Sequence, residues 1–293
     1  MQDIRIAMVQ MQSIVGNAER NIDVIGRFVA EAASNDVDIV CFPELGINGY
    51  NAGDTRSPEP EPIPGASTDR LRDIAEGAGI TFLAGLLERD ESGIVYNTQI
   101  VFGPGGIEGV YRKTHVPTTE IGTWCHSGDL PVFNHSKVRF GIEICYDSHF
   151  PEVSTALASK GAEIIFLPHA SGGETPEEKY ARWLRYVPAR AYDNGVFVAI
   201  CNQVGDNGAG RTFTGVSFVC DPRGEVIART EHGDRDEMIV VDLSAASLAE
   251  ARQEPETFFR HFRRPEIYKS WGLESGLTIN VVDSPDILHC RIA

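Results

Sequence analysis

The chain repeats itself. The run DIVCFPE (residues 38–44) and the run AEIIFLPHA (162–170) are short and mostly apolar, and each carries a proline near its end. Further on, each half has a hairpin-like pair: YNTQIVF, GPGG and IEGVYRK in the first, FTGVSFVCDPRGEVIART in the second. A short apolar run bounded by turn residues reads as a strand covered on both faces. Alternating runs joined by a Gly-rich turn read as a hairpin. Amphipathic stretches fill the gaps. One begins near Asn17, with Ile22, Ile25, Phe28, Val29 and Ala32 on one face. A second, capped by Ser67 or Thr68, turns Leu71, Ile74, Ala75 and Ala78 inward and stops at Gly79. PEVSTALASK makes a third. A fourth starts on Thr175, Pro176 and Glu178, carries Tyr180, Trp183, Leu184, Val187 and Ala191, kinks at Pro188 and ends at Asn194-Gly195. Two such halves imply an α/β fold with pseudo-twofold character, in which two sheets pack face to face with helices outside. Residues 1–265 are read as one domain. Residues 266–293 form a C-terminal tail, and the basic, aromatic stretch from Pro255 suits docking on a second subunit.

Charge narrows the partners. Acidic residues number 42 against 26 basic ones, a formal net charge of −16. Such a surface repels nucleic-acid phosphates and anionic lipid, so neither nucleic acid nor membrane is expected as a partner. No apolar run approaches the ~20 residues of a membrane span. The start carries no signal peptide, since Asp3 and Arg5 precede a strand-like IAMVQ. Six cysteines show no CxxC pair, and Cys41, Cys201 and Cys220 lie in apolar runs, which fits a reducing cytoplasm. The Gly/Pro-rich stretch 46–65 is long enough for a binding loop and acidic enough for a solvated one; both readings stand.

Three polar residues end apolar strands. Cys145 closes FGIEIC just before a helix start near Pro151, where helix N-termini offer positive potential and free N–H groups. Glu44 follows DIVCFP, and a carboxylate there needs a partner or a purpose. Lys113 ends GVYRK. Taken singly, each has a plain structural explanation. Together, FPELGINGY, YRKTHVP and GIEICYDSHFPE resemble the nitrilase (carbon–nitrogen hydrolase) superfamily over nearly the whole chain. The resemblance implies a four-layer α-β-β-α sandwich and a Glu-Lys-Cys triad at Glu44, Lys113 and Cys145. Glu120 matches the further glutamate that family members carry after the lysine. It also implies a homodimer or higher homo-oligomer, with no organic cofactor and no metal.

The implied chemistry is hydrolysis of a linear amide through a thioester. Cys145 would attack. Glu44 would move the proton. Lys113 would hold the oxyanion together with the Tyr146 N–H, and Glu120 would orient Lys113 or the substrate nitrogen. Tyr50, Tyr146, His149 and His169 are candidate substrate contacts. Trp124 and Trp183 are further pocket candidates, although the helix stripe favours core packing for Trp183. His115, His126, His149 and His169 also allow a Cys-His reading, but no Asn or Asp context completes it. Cys125-His126 and His289-Cys290 lack four-ligand metal spacing. Tyr146-Asp147 after the nucleophile looks like the amidase and carbamoylase branches rather than true nitrilases. The absence of an arginine at Ser148 or His149 argues against a carboxylated substrate. A small primary amide or N-carbamoyl amine is therefore expected, and the acidic Glu59 and Glu61 would tolerate a cationic one. Nitrile hydrolysis, acyl transfer at the same site and a non-catalytic binding role are the alternatives.

Overall fold

A computed structural model describes residues 1–52, 57–253 and 256–270. The first half holds β1 (Ile4–Gln10), α1 (Ala18–Ser34), β2 (Ile39–Cys41), α2 (Ala66–Ala78), β3 (Thr81–Arg89), β4 (Val95–Gly103) and β5 (Gly106–Arg112). The second holds β6 (Phe133–Asn134), β7 (Arg139–Ile142), α3 (Pro151–Ser159), β8 (Ile164–His169), α4 (Pro176–Trp183), α5 (Val187–Asn194) and β9 (Phe197–Asn202). It continues through a ribbon of β10 (Val204–Asp206) and β11 (Thr212–Thr214) to β12 (Phe218–Cys220) and β13 (Val226–Arg229). Then come β14 (Glu237–Leu243), α6 (Ala245–Gln253) and α7 (Pro265–Ser270).

The two large sheets run β14-β1-β2-β3-β4-β5 and β6-β7-β8-β9-β12-β13. Read in that order, each goes antiparallel, parallel, parallel, antiparallel, antiparallel. The duplication legible in the sequence is thus a duplication of topology, with β2 and β8 third in their sheets. Ile6, Met8, Cys41 and Leu83 of one sheet meet Phe140, Ile142, Phe166, Ala199 and Cys201 of the other in a shared core. On the outer faces, α1 and α2 cover the first sheet and α3, α4 and α5 the second. The result is an α-β-β-α sandwich. Its parallel central strands carry apolar residues on both faces, as sheets covered on both sides require.

Local signals resolve at their ends. Thr175 caps α4, accepting from the Glu178 N–H at 3.3 Å, while the Glu178 carboxylate accepts from the Thr175 N–H at 3.0 Å. α2 departs from expectation: its cap is Gly65, whose N–H donates to Thr68 Oγ1, and Ser67 donates to Glu61 instead. Pro188 does not kink a continuous helix. The chain leaves the helix after Trp183 and restarts at Val187, placing Pro188 in a first turn where its missing N–H costs nothing. Leu184, expected inward, is consequently exposed. Gly195, at φ 57°, ends α5 as its αL cap.

Phe258 of the basic segment is buried over Gly195 and Arg252, whereas Phe259 and Phe262 are exposed. Trp271 and the remaining tail, together with His289-Cys290, lie outside the described residues. Among the described residues no helix is long and apolar enough to cross a membrane.

Candidate active site

The site forms at the carboxyl ends of β2 and β7, where parallel strands leave their edge open. After β2 the chain turns sharply through Phe42, Pro43 and Leu45, the last at φ 49°, and Gly46 N–H returns to Pro43 O at 3.1 Å. This turn buries Glu44 completely. A buried carboxylate needs its lone pairs filled, and Glu44 has them filled from four elements. Oε1 accepts from Asn97 Nδ2 at 2.7 Å and Lys113 Nζ at 2.8 Å; Oε2 accepts from the Ala170 N–H at 2.8 Å; its carbonyl accepts from Gln203 Nε2 at 2.7 Å.

Lys113 leaves β5 and is fully buried. Its backbone N–H donates to Asn97 O at 2.9 Å, which fixes where the side chain starts. Nζ meets Glu44, then Glu120 Oε1 at 3.0 Å and Oε2 at 2.9 Å. Burial would lower the ammonium's pKa, but Glu44 and Glu120 override it and hold the group well above its ordinary value. Burial drives Glu120 up to about 7 against the pull of Lys113. Tyr50 OH donates to Glu120 Oε1 at 2.7 Å.

Cys145 opens a 3-10 turn, Cys145–His149, with φ at 47°. Such a conformation is costly for a residue with a Cβ and persists only where its surroundings enforce it. Asp147 is the enforcer. Buried, it accepts from the Ile144 N–H at 3.0 Å and Tyr111 OH at 2.7 Å on one oxygen. Its other oxygen accepts from Thr114 Oγ1 and the His115 N–H, both at 2.8 Å. One carboxylate therefore joins the nucleophile's turn to the segment just after Lys113. Burial pushes the Cys145 thiol well up and Glu44 adds to this, while Lys113 and the Ala170 N–H favour its charged form. In the resting site the thiol holds its proton beside an acceptor, Glu44.

A cavity of about 960 Å³ opens over Cys145. All four expected substrate-contact residues, Tyr50, Tyr146, His149 and His169, line it. Trp183 does so too, as well as packing in the outer core. Trp124 is buried against Tyr50, ring centroids 5.5 Å apart, and is not a lining residue. Neither Glu59 nor Glu61 is among the described lining residues; Glu61 is spent on Ser67. His169 donates from Nδ1 to Leu167 O at 2.9 Å, and burial depresses its pKa to about 3, so it stays neutral. His115 is turned to Asp147 and stacks on Phe150. Among the described residues, no histidine hydrogen-bonds the Cys145 thiol, so a Cys-His pair has no geometric support.

Asn97, Asp147 and Ala170 hold the site yet carry no signal in the sequence, since each acts on a residue distant along the chain. Arg182 and Arg211 line the cavity from α4 and the β10–β11 connection. The residues nearest the nucleophile gave no hint of them. Among the described residues no group of three His, Cys, Asp or Glu side chains gathers as for a metal.

A family model for carbon–nitrogen hydrolases matches residues 5–253. An omega-amidase, NIT2, of Homo sapiens is 31% identical over 279 residues, covering 92% of this chain and 98% of that one. A nitrilase of Pyrococcus abyssi is 33% identical over 239 residues, covering 80% and 87%. Among solved structures, an amidase of the nitrilase superfamily from Nesterenkonia AN1 superposes with a TM-score of 0.77 at 25% identity, covering 92% of this chain and 97% of that one. Saccharomyces cerevisiae Nit3 superposes with a TM-score of 0.76 at 26% identity, covering 87% and 96%. With a fold, a strand-end constellation and a sequence match that agree over most of its length, this chain belongs to the carbon–nitrogen hydrolase family and acts on amides.

Proposed function

We propose that the chain hydrolyses a small primary amide or N-carbamoyl amine at Cys145 and releases ammonia. The observation that carries this is the position of Lys113 Nζ, held between Glu44 and Glu120 within 3.0 Å of both, beside a thiol at the floor of a cavity. An amide carbonyl is a weak electrophile, so its attack needs a strong nucleophile and a cation where charge develops. Glu44 takes the thiol proton as the sulfur attacks the carbonyl carbon. The oxyanion that forms is met by the Lys113 ammonium and by backbone N–H at the turn, that of Tyr146 included. Glu44 then passes the proton to the departing nitrogen, and the C–N bond breaks to leave a thioester and ammonia. Water enters, gives a proton to Glu44 and attacks the thioester. Collapse expels the thiolate, which recovers its proton as the acid leaves. Glu120 keeps Lys113 aimed, and Tyr50 keeps Glu120 aimed. Relatives support this sequence: the Nesterenkonia amidase carries the acetamide moiety of fluoroacetamide covalently on its active-site cysteine.

The test is ammonia release from small amides, N-carbamoyl amines and nitriles, with Cys145→Ala as control. Amide or carbamoyl turnover that disappears in the variant is the expected result. Turnover of nitriles alone would refute the amide reading, and turnover that survives in Cys145→Ala would refute the nucleophile. Acyl transfer would show as ammonia released without an equivalent of free acid.

A further inference from the structure

The charge inside the cavity does not follow the charge of the molecule. The chain as a whole carries −16. Around the cavity's outer wall, Glu174 lies 3.1 Å from both Lys179 Nζ and Arg182 Nε, so one carboxylate serves two cations. Glu178 is spent on the N-terminus of α4, accepting from the Thr175 N–H. Arg211 is the remaining cation. One nitrogen donates to Ala52 O at 2.8 Å, and the guanidinium lies over the Tyr50 ring, 5.6 Å from its centroid. Among the described residues it meets no carboxylate within ion-pair distance, and its side chain lines the cavity. A half-buried guanidinium carries five donors in a planar fork suited to a carboxylate, and only one of them is engaged here.

We propose that Arg211 binds a carboxylate borne by the substrate at the end remote from the scissile amide. This rests on the amide-hydrolase reading and names its substrate class: a primary amide or carbamoyl compound that is also a carboxylic acid. Tyr50 supplies the geometry. Its hydroxyl fixes Glu120 at the reacting end, and its ring supports Arg211 at the other, so one side chain sets the separation between amide and carboxylate. The need is also plain. An anionic substrate approaches a surface of −16 and two site carboxylates, and a local cation is what can hold it there. No arginine follows the nucleophile, but the β10–β11 connection brings one to the cavity from about 65 residues further along the chain.

The experiment compares amides matched in length, with and without the acid: succinamate against butyramide, and N-carbamoyl-β-alanine against N-propylurea. The wild-type protein is expected to favour the acid of at least one pair in kcat/KM, and the pair that responds separates an amide from a carbamoyl substrate. Arg211→Met should lower that acid-to-neutral ratio by about 10- to 100-fold, the worth of a charge-assisted hydrogen bond. Arg211→Lys, which keeps the charge and loses the fork, should fall between. A wild-type preference for both neutral compounds overturns the proposal, and so does a ratio that Arg211→Met leaves unchanged. Binding of the four compounds to Cys145→Ala protein, measured by calorimetry, asks the same question without turnover. If no compound is hydrolysed but succinamate binds in preference to butyramide, the reaction assignment fails and Arg211 stands. If amides are hydrolysed and binding ignores the acid, the reverse holds.

Discussion

At the scale of single residues, the site is two carboxylates sharing one ammonium in a space closed to water. Such groups titrate as a cluster. With Glu120 raised to about 7 by burial, kcat/KM should climb with pH along an acid limb near 7, because below it the protonated carboxyl no longer holds Lys113. Glu120→Gln should displace that limb in a pH profile, whereas a profile identical to wild type would assign it elsewhere. Removing Lys113 is worse than removing an ordinary surface cation. Lys113→Met leaves Glu44 and Glu120 buried without compensation, a loss of about 3–5 kcal/mol, to be read in the denaturation midpoint along with lost activity. Glu143 makes the opposite case. It is buried on β7's outer-facing side, and burial, eased by Ser154 and Arg190, raises it to about 8. Its ordinary value is 4.5, so below that pH both folded and unfolded chains hold the proton. Between about 4.5 and 8 the unfolded chain ionises first and the folded state loses ground; above 8 the loss is constant. Glu143→Gln should therefore leave stability at pH 4 unchanged and raise it at pH 8 by on the order of a few kcal/mol. Equal melting temperatures at pH 8 would show that the carboxyl finds a partner.

At the scale of elements, the nucleophile's turn is held from outside itself. Asp147 collects donors from β7's exit, from β5 and from the segment after Lys113. Asp147→Asn turns one acceptor into a donor facing donors, a mismatch of about 1–3 kcal/mol. The Cys145 turn and the Lys113 segment should then lose register, with kcat falling by roughly tenfold or more at a nearly unchanged KM. Full activity at a lowered melting temperature would restrict Asp147 to structure. This element also shows what a sequence conveys. Glu44, Lys113 and Cys145 were legible because each interrupts or ends an apolar run, and a strand end is a local feature. Asp147, Asn97 and Ala170 were not, since their partners lie tens of residues away and no periodicity encodes a contact across sheets. The helix boundaries failed for a related reason. Pro188 signals a disturbance, but whether the helix kinks or restarts depends on how α4 and α5 pack on the second sheet.

At the scale of the molecule, two similar halves form one body. Each sheet alone exposes an apolar inner face, and only the other sheet covers it, through Ile6, Met8 and Leu83 on one side and Phe140, Ile142 and Phe166 on the other. The first sheet is not even complete without the end of the second half, since β14 returns to pair with β1 over Ile4↔Leu243 to Gln10↔Glu237. That closing strand has no echo in the repeat. Half-molecules should therefore have no stable fold, and the whole should unfold in one step despite its size. Two tryptophans can report this. Trp124 packs on Tyr50 beside the site, and Trp183 sits in the outer core of the second half. With Trp271→Phe in place, Trp124→Phe and Trp183→Phe proteins each leave one reporter. Their fluorescence transitions in urea should share a midpoint, once each is compared with the loss of far-UV circular dichroism in the same protein. Separate midpoints would mean that the inter-sheet core opens before the outer layers, and that the duplicated halves keep some independence.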